Sequence, residues 1–212
     1  MSKEWDQIVS AHGYPPFLQA AFLLRAIQVF PCPRGLLMLG RRDGTLRVGA
    51  IVVPAGLGRW ATYQPAQLPL GACILASGLN WTNVLPQMAA VLPGPALQLS
   101  VMQQDPQFVR RPVDTGCICS FDYVPTAWID VRGSYADFWQ ARGKNLRQNL
   151  PKQRRKIEKQ IGQLAFEYVS DQREIIVAFE QFAALESEGW KSTNGTAVSV
   201  DNLQGNFYRA VL

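Results

Sequence analysis

The chain is poor in the residues that most often carry chemistry. Its 212 residues include one histidine, His12, so a Ser-His-Asp triad or a Cys-His pair has little to draw on. His12 sits in Ala-His-Gly, a helix-end context that predicts a surface or capping role. The four cysteines, Cys32, Cys73, Cys117 and Cys119, fit no zinc-ligand spacing, and no metal is expected. They read as small apolar groups, with Cys117 and Cys119 on one face of a strand. No apolar run reaches the roughly 18–20 residues that cross a bilayer, since the longest, Pro15 to Phe30, is broken by Gln19, Arg25 and Gln28. The charged start, Met1-Ser-Lys-Glu-Trp-Asp, lacks the apolar core of a signal peptide. A cytoplasmic protein is expected. Internal repeats and low-complexity segments are also missing. What is present is globular: 48% hydrophobic residues, 10% aromatic, and a mean hydropathy of −0.04.

Charge is the uneven property. The whole chain carries +5. Between residues 142 and 159 lie Arg142, Lys144, Arg147, Lys152, Arg154, Arg155, Lys156 and Lys159 against the single acid Glu158, a local +7 that leaves −2 for everything else. The sequence pI near 9.2 is therefore set by one segment. Such a face can meet nucleic acid or an anionic membrane, or it can be a solvated helix face. No aromatic residue interleaves with the charges, which speaks against base stacking. Membrane insertion is disfavoured because the segment offers little beyond Leu146, Leu150 and Ile157 as apolar groups.

Periodicity divides the chain in two. Trp5, Ile8 and Val9 mark a first helix, and Pro15-Pro16 opens a second over Phe17 to Phe30. Strands are expected at 36–41 and 46–53, joined by an Asp43-Gly44 turn, then at 59–63, 72–76 and 96–102, with a helix over 80–92. Residues 117–131 alternate and predict one long strand. From Ser134 the pattern turns helical. Ser134 with Asp137 has the form of a capping box, Gly143 is a break, and Lys144 to Ile161 is the basic helix, stopped by Gly162. A strand over 163–169, a helix over 171–190 and a final helix from Leu203 follow. The expected division is 1–133 and 134–212. The last helix, with apolar Phe207, Tyr208, Ala210, Val211 and Leu212 and no polar tail, reads either as a docked helix or as the interruption of a longer α/β protein. In the second case an open sheet edge would invite self-association.

Four stretches in order carry a resemblance: 137–147 (Asp-Phe-Trp-Gln-Ala-Arg-Gly-Lys-Asn-Leu-Arg), 154–162 (Arg-Arg-Lys-Ile-Glu-Lys-Gln-Ile-Gly), 163–167 (Gln-Leu-Ala-Phe-Glu), and 185–191 (Leu-Glu-Ser-Glu-Gly-Trp-Lys) with Asn206-Phe-Tyr-Arg209. Together they resemble GNAT-type acyltransferases of the CelD group (cellulose and exopolysaccharide biosynthesis), relatives of the FemAB transferases. The resemblance spans about 134–212. It implies a GNAT-like α/β (α+β) fold, a mixed and largely antiparallel sheet flanked by helices, with a degenerate first lobe and an incomplete second one. It also implies acyl transfer from an acyl-CoA to a small-molecule amine, or, among FemAB relatives, from aminoacyl-tRNA. The donor's pyrophosphate usually lies in an Arg/Gln-x-x-Gly-x-Gly/Ala turn at a helix start. The nearest stretches, Arg41-Arg-Asp-Gly-Thr-Leu46 and Ser192-Thr-Asn-Gly-Thr-Ala197, depart from that pattern. The donor site is accordingly expected beyond Leu212, and this chain alone is expected to be inactive. Acyl transfer to an amine needs a base, for which the resemblance offers Glu186 or Glu188. They lie two apart on a helix, so at most one faces a cleft. Trp190, Lys191, Tyr208 and Arg209, and the loop residues Tyr63, Gln64 and Gln67, are the substrate-binding candidates. Packing, helix-end charge and a plain surface loop are the competing explanations.

Overall fold

The computed structural model describes residues 1–193 and 195–212. Contacts group the chain into two compact units, Met1–Tyr123 with Gln172–Leu212, and Val124–Asp171.

The larger unit is built on a mixed, open sheet. Its elements begin with α1 (Ser2–Ala11), a 3-10 turn at Pro16–Leu18 and α2 (Ala20–Val29). The expected second helix is thus split at Gln19, which adopts an extended conformation. The strands are β1 (Leu36–Arg42), β2 (Thr45–Gly56), β3 (Arg59–Thr62), β4 (Cys73–Leu75) and β5 (Gln98–Ser100), with α3 (Trp81–Ala90) before β5. The order is β1-β2-β3-β5, and β4 pairs with β2 as well. All pairings are antiparallel except β3 with β5. Asp43 and Gly44 take φ of 51° and 76°, the two positive values that a tight hairpin turn between right-twisting strands requires.

β2 is long enough to serve two partners along one side. Val48–Ala50 face β4, and Val52–Gly56 face β3. Its Leu46, Val48, Ala50, Ile51 and Val52 are all buried, as befits a central strand covered on both faces. Gly49 lets α1 come close: any Cβ there would collide with the Trp5 ring. The Trp5 indole N–H in turn donates to the Leu18 carbonyl at 2.7 Å, so burial of the ring leaves no polar group unpaired.

The same unit takes the last three helices, α6 (Gln172–Glu188), α7 (Trp190–Thr193) and α8 (Leu203–Val211). α8 docks on α2. Phe207 is 1% exposed, with the Phe22 ring edge-on at 5.3 Å and the Phe30 ring at 5.5 Å. Asn202 caps α8 by accepting from the Gly205 N–H at 2.9 Å. The grouping therefore does not follow the expected 133/134 boundary, because Phe207 finds its apolar socket among residues from the start of the chain.

The smaller unit holds two helices, α4 (Tyr135–Gln140) and α5 (Lys144–Ile161). Both are fixed locally. Ser134 accepts from the Asp137 N–H at 3.1 Å and donates to its carboxylate at 2.6 Å. Gly162 ends α5 at φ 99°. No residue of this unit is buried.

Two expected strands are corrected. Residues 117–131 and 163–169 alternate in sequence yet form no strand. Alternation specifies a strand only where another strand supplies hydrogen bonds and a face to pack on. Here Phe121, Tyr123, Trp128, Phe166 and Tyr168 are all exposed. Two of the cysteines are corrected with them, since Cys117 and Cys119 are exposed while Cys73 is buried and Cys32 is intermediate.

Candidate functional site

The carboxylates proposed as bases lie at the end of α6 and behave differently. Glu186 turns inward and forms an ion pair with Lys191 Nζ, while its other oxygen accepts from the Val198 N–H at 3.0 Å. The Lys191 hydrogen bond, followed by that from the backbone, holds its carboxyl below the usual glutamate range. A carboxylate so stabilised is a weak proton acceptor and a good anchor for a cation. Glu188, two residues on, is exposed. Gly189 breaks the helix, and α7 then carries Lys191 back toward Glu186. Trp190 is 72% exposed, so it does not belong to the core.

α8 supplies the next pair. Arg209 Nη2 donates to Glu180 Oε1 at 3.0 Å, tying α8 to α6. Tyr208 is half-exposed with its ring 6.0 Å from Phe179. Lys191 and Arg209 are thus both engaged by glutamates of α6.

The loop 63–71 is joined to this region through one residue. Tyr63 is buried and its hydroxyl donates to the Phe30 carbonyl at 2.7 Å, and the Phe30 ring touches Phe207 beside Tyr208. Burial pushes the Tyr63 phenol up, so it stays neutral. Gln64 spends its amide N–H groups on the Leu68 carbonyl (3.1 Å) and the Pro69 carbonyl (3.2 Å) within the loop and on Gln103 Oε1 (2.5 Å) outside it. Gln67 differs: its Oε1 is buried with no hydrogen-bond partner among the described residues. Gly71 closes the loop against Thr62, where a Cβ would strike the Thr62 hydroxyl.

Three features were not legible in the sequence. A groove of about 520 Å³ opens among Arg34, Leu36, Arg59, Trp60, Pro93 and Pro95. It is assembled from three separated segments, and the proline-rich runs were its only sequence signal. His12 closes the end of α1. Its Nδ1–H donates to the Ile8 carbonyl at 3.0 Å, and Nε2 accepts from the Ser77 hydroxyl at 2.7 Å and from the Ser77 N–H. Both ring nitrogens are occupied in joining α1 to the end of β4, a structural tie that pairing by sequence position could not show. The third is that the apolar residues of α5, readable in the sequence, are left uncovered by their own unit.

The two glycine-bearing stretches do not form a phosphate cradle. Residues 41–46 are a hairpin between strands, and the stretch at 192–197, of which Asn194 lies outside the described residues, starts with the last two residues of α7 and runs on past it. Neither opens a helix, so neither aims a row of free N–H groups at an anion. Along α5, Lys144, Arg147, Lys152, Arg154, Arg155, Lys156 and Lys159 are all exposed. Among the described residues only Arg154 of these forms an ion pair, with Glu158 at 2.8 Å. Arg142 lies 4.3 Å over the Phe138 ring. Among the described residues no group of three or more His, Cys, Asp and Glu is placed to hold a metal, and no helix is long and apolar enough to cross a membrane. Set against family models, curated proteins and solved structures, the chain matches none.

Proposed function

We propose that the chain provides the acceptor side of an acyl-CoA-dependent N-acyltransferase of the GNAT type, acting on a small-molecule amine, with cell-envelope or polysaccharide amines as the favoured class. The observation that supports it most is the mixed, largely antiparallel, open sheet of β1–β5 with its flanking helices, which is compatible with the α/β (α+β) class that the resemblance implies. In the transfer the amine nitrogen attacks the thioester carbonyl. A C–N bond forms, the C–S bond breaks, and the departing CoA thiolate takes up a proton. The proton shed by the amine passes to a base. Glu188 suits that role better than Glu186, whose carboxylate is committed to Lys191 and the Val198 N–H. Glu186 is then a positioning residue that sets Lys191. The donor turn is expected outside 41–46 and 192–197, neither of which opens a helix among the described residues.

Thermal shift and isothermal titration test this directly. A panel of amino sugars, amino acids and polyamines is compared with the N-acetylated forms of the same compounds, and acetyl-CoA is titrated separately. A bound amine at a hundred times its Kd stabilises the fold by about 2.7 kcal/mol. The expected result is a response to one class of free amine and none to its N-acetylated form. Tight acetyl-CoA binding would mean the donor site lies within these residues, and silence toward every amine would end the proposal.

A second reading is favoured by one observation, the exposed and mostly unpaired cations of α5. In this reading α5 binds an anionic partner, nucleic acid, aminoacyl-tRNA or anionic membrane. Neutralising several phosphates makes affinity fall steeply as salt rises. Binding of a polyanion measured at two salt concentrations gives that slope, and a flat response removes the reading.

A further inference from the structure

We infer that α5 is an interfacial helix that lies on an anionic lipid surface, an inference that rests on the second reading above and names its partner. The observation is the pattern of apolar residues around the helix. α5 extends to Ile161, and Leu146, Leu150, Ile157 and Ile161 fall within about 60° of arc at 100° per residue. They form a line about 22 Å long at 1.5 Å per residue. All four are exposed, between 38% and 75%, and nothing in their own unit covers them. Lys144, Lys152, Arg155 and Lys159 occupy the opposite face, and Arg147, Arg154 and Lys156 lie between the two. The only acid on the helix, Glu158, is engaged by Arg154.

A polyanion such as nucleic acid would use the cations and leave the line of leucines and isoleucines in water. A neutral apolar partner would use the line and gain nothing from a segment of net +7. A lipid surface bearing negative headgroups uses both at once. The apolar line sinks to the acyl boundary while the long stems of Lys and Arg reach headgroup phosphates from the flanks. The polar face is rich in Lys and Arg and the helix as a whole is strongly hydrophilic, which is the composition of helices that lie on a membrane without entering it. Aromatic residues of the same unit suit the same boundary. Tyr135 and Trp139 of α4 stack at 6.2 Å and 12°, and Tyr135 and Trp128 are exposed. Amphipathic rings of this kind favour the headgroup level.

Co-sedimentation of the full chain with vesicles tests the inference. Vesicles of phosphatidylcholine alone are compared with vesicles that also contain phosphatidylserine, each at low and high salt. The expected result is binding to the phosphatidylserine vesicles only, weakened by salt. Leu150→Glu is expected to lower the partition about tenfold or more, by removing one buried apolar side chain and adding a like-signed charge to the headgroups. Leu150→Ala, milder for the helix, is expected to act in the same direction, and circular dichroism checks that helicity is kept. Unchanged binding by both Leu150 variants would overturn the insertion of the line. Retention of tRNA or duplex DNA together with no vesicle binding would overturn the lipid inference and leave the anionic-partner reading standing. Absence of binding to either would overturn both. A dimer that Leu150→Glu dissolves, with no vesicle binding, would assign the line to a second copy of this chain and overturn the inference as well.

Discussion

The two units of this chain contain apolar residues alike, yet only one of them has an interior. In the larger unit Trp5, Leu18, Val52, Ile74 and Phe207 are almost entirely removed from water, drawn from two helices, a 3-10 turn and two strands far apart in sequence. In the smaller unit Leu146, Leu150, Ile157 and Ile161 are as regularly spaced and none is buried. The difference is the partner surface. A β-sheet with helices on it offers apolar faces that match, whereas two helices held by a Ser134 cap, a Gly162 stop and one Arg154–Glu158 pair offer each other little. Local contacts of that kind contribute a few tenths of a kcal/mol to about 1 kcal/mol each. The larger unit is thus held by distant contacts and the smaller one by neighbours.

Thiol chemistry should separate the covered core of the larger unit most widely from the exposed segment that leads out of it toward the smaller one. Burial pushes the Cys73 thiol up to about 12, and the side chain has no exposed surface. Cys117 and Cys119 are exposed. Under an alkylating reagent at neutral pH, mass spectrometry should find Cys117 and Cys119 modified rapidly and Cys73 only after denaturant is added. Equal rates in the native protein would erase the contrast. Next in size is Phe207→Ala, expected to cost about 3–5 kcal/mol in denaturant unfolding, because it empties the socket between Phe22 and Phe30. The same truncation at Leu150 should stay within about 0.5 kcal/mol. A comparable loss at both positions would mean that α5 has a covered face in solution.

A smaller effect is expected at Ser134→Ala, which removes the cap of α4 and should cost about 1 kcal/mol of local helix stability, read by amide exchange at the first turn of α4. The larger unit should not respond. The smallest effect concerns pH. Arg41 donates to Glu4 at 2.6 and 2.9 Å and holds its carboxyl down at about 2. A depressed folded-state value stabilises the fold above the ordinary glutamate range of about 4.3 and loses that contribution as pH falls toward 2. Glu4→Gln should therefore flatten the Tm-against-pH profile of the larger unit over that window. The pair is half-exposed, so the effect should be small and shrink further with salt. An identical profile in both proteins would show the pair contributes nothing.

What could be read from the sequence follows the same division between near and far. The Asp43-Gly44 hairpin, the bounds of α5 and the Ser134 cap are written in a few adjacent residues, and the structure has them where the periodicity and caps placed them. The alternation at 117–131 and 163–169 was equally plain but empty, since a strand is defined by what lies beside it. The site was legible only as residue types. That Glu186 is tied by Lys191 and the Val198 N–H depends on how the chain turns after Gly189. That Tyr63 and α8 meet across Phe30 depends on contacts well over a hundred residues apart in the chain. Neither spacing nor composition carries such information.

The seating of Phe207 between Phe22 and Phe30 also has a consequence for biosynthesis. On the ribosome, α1, α2 and the first strands emerge long before residues 203–211 are made, and until then the pocket between the two early rings stands open to water. The nascent protein must carry that sticky gap while the whole stretch between Phe30 and Phe207 is made, which makes it a natural client for a chaperone that shields aromatic surface.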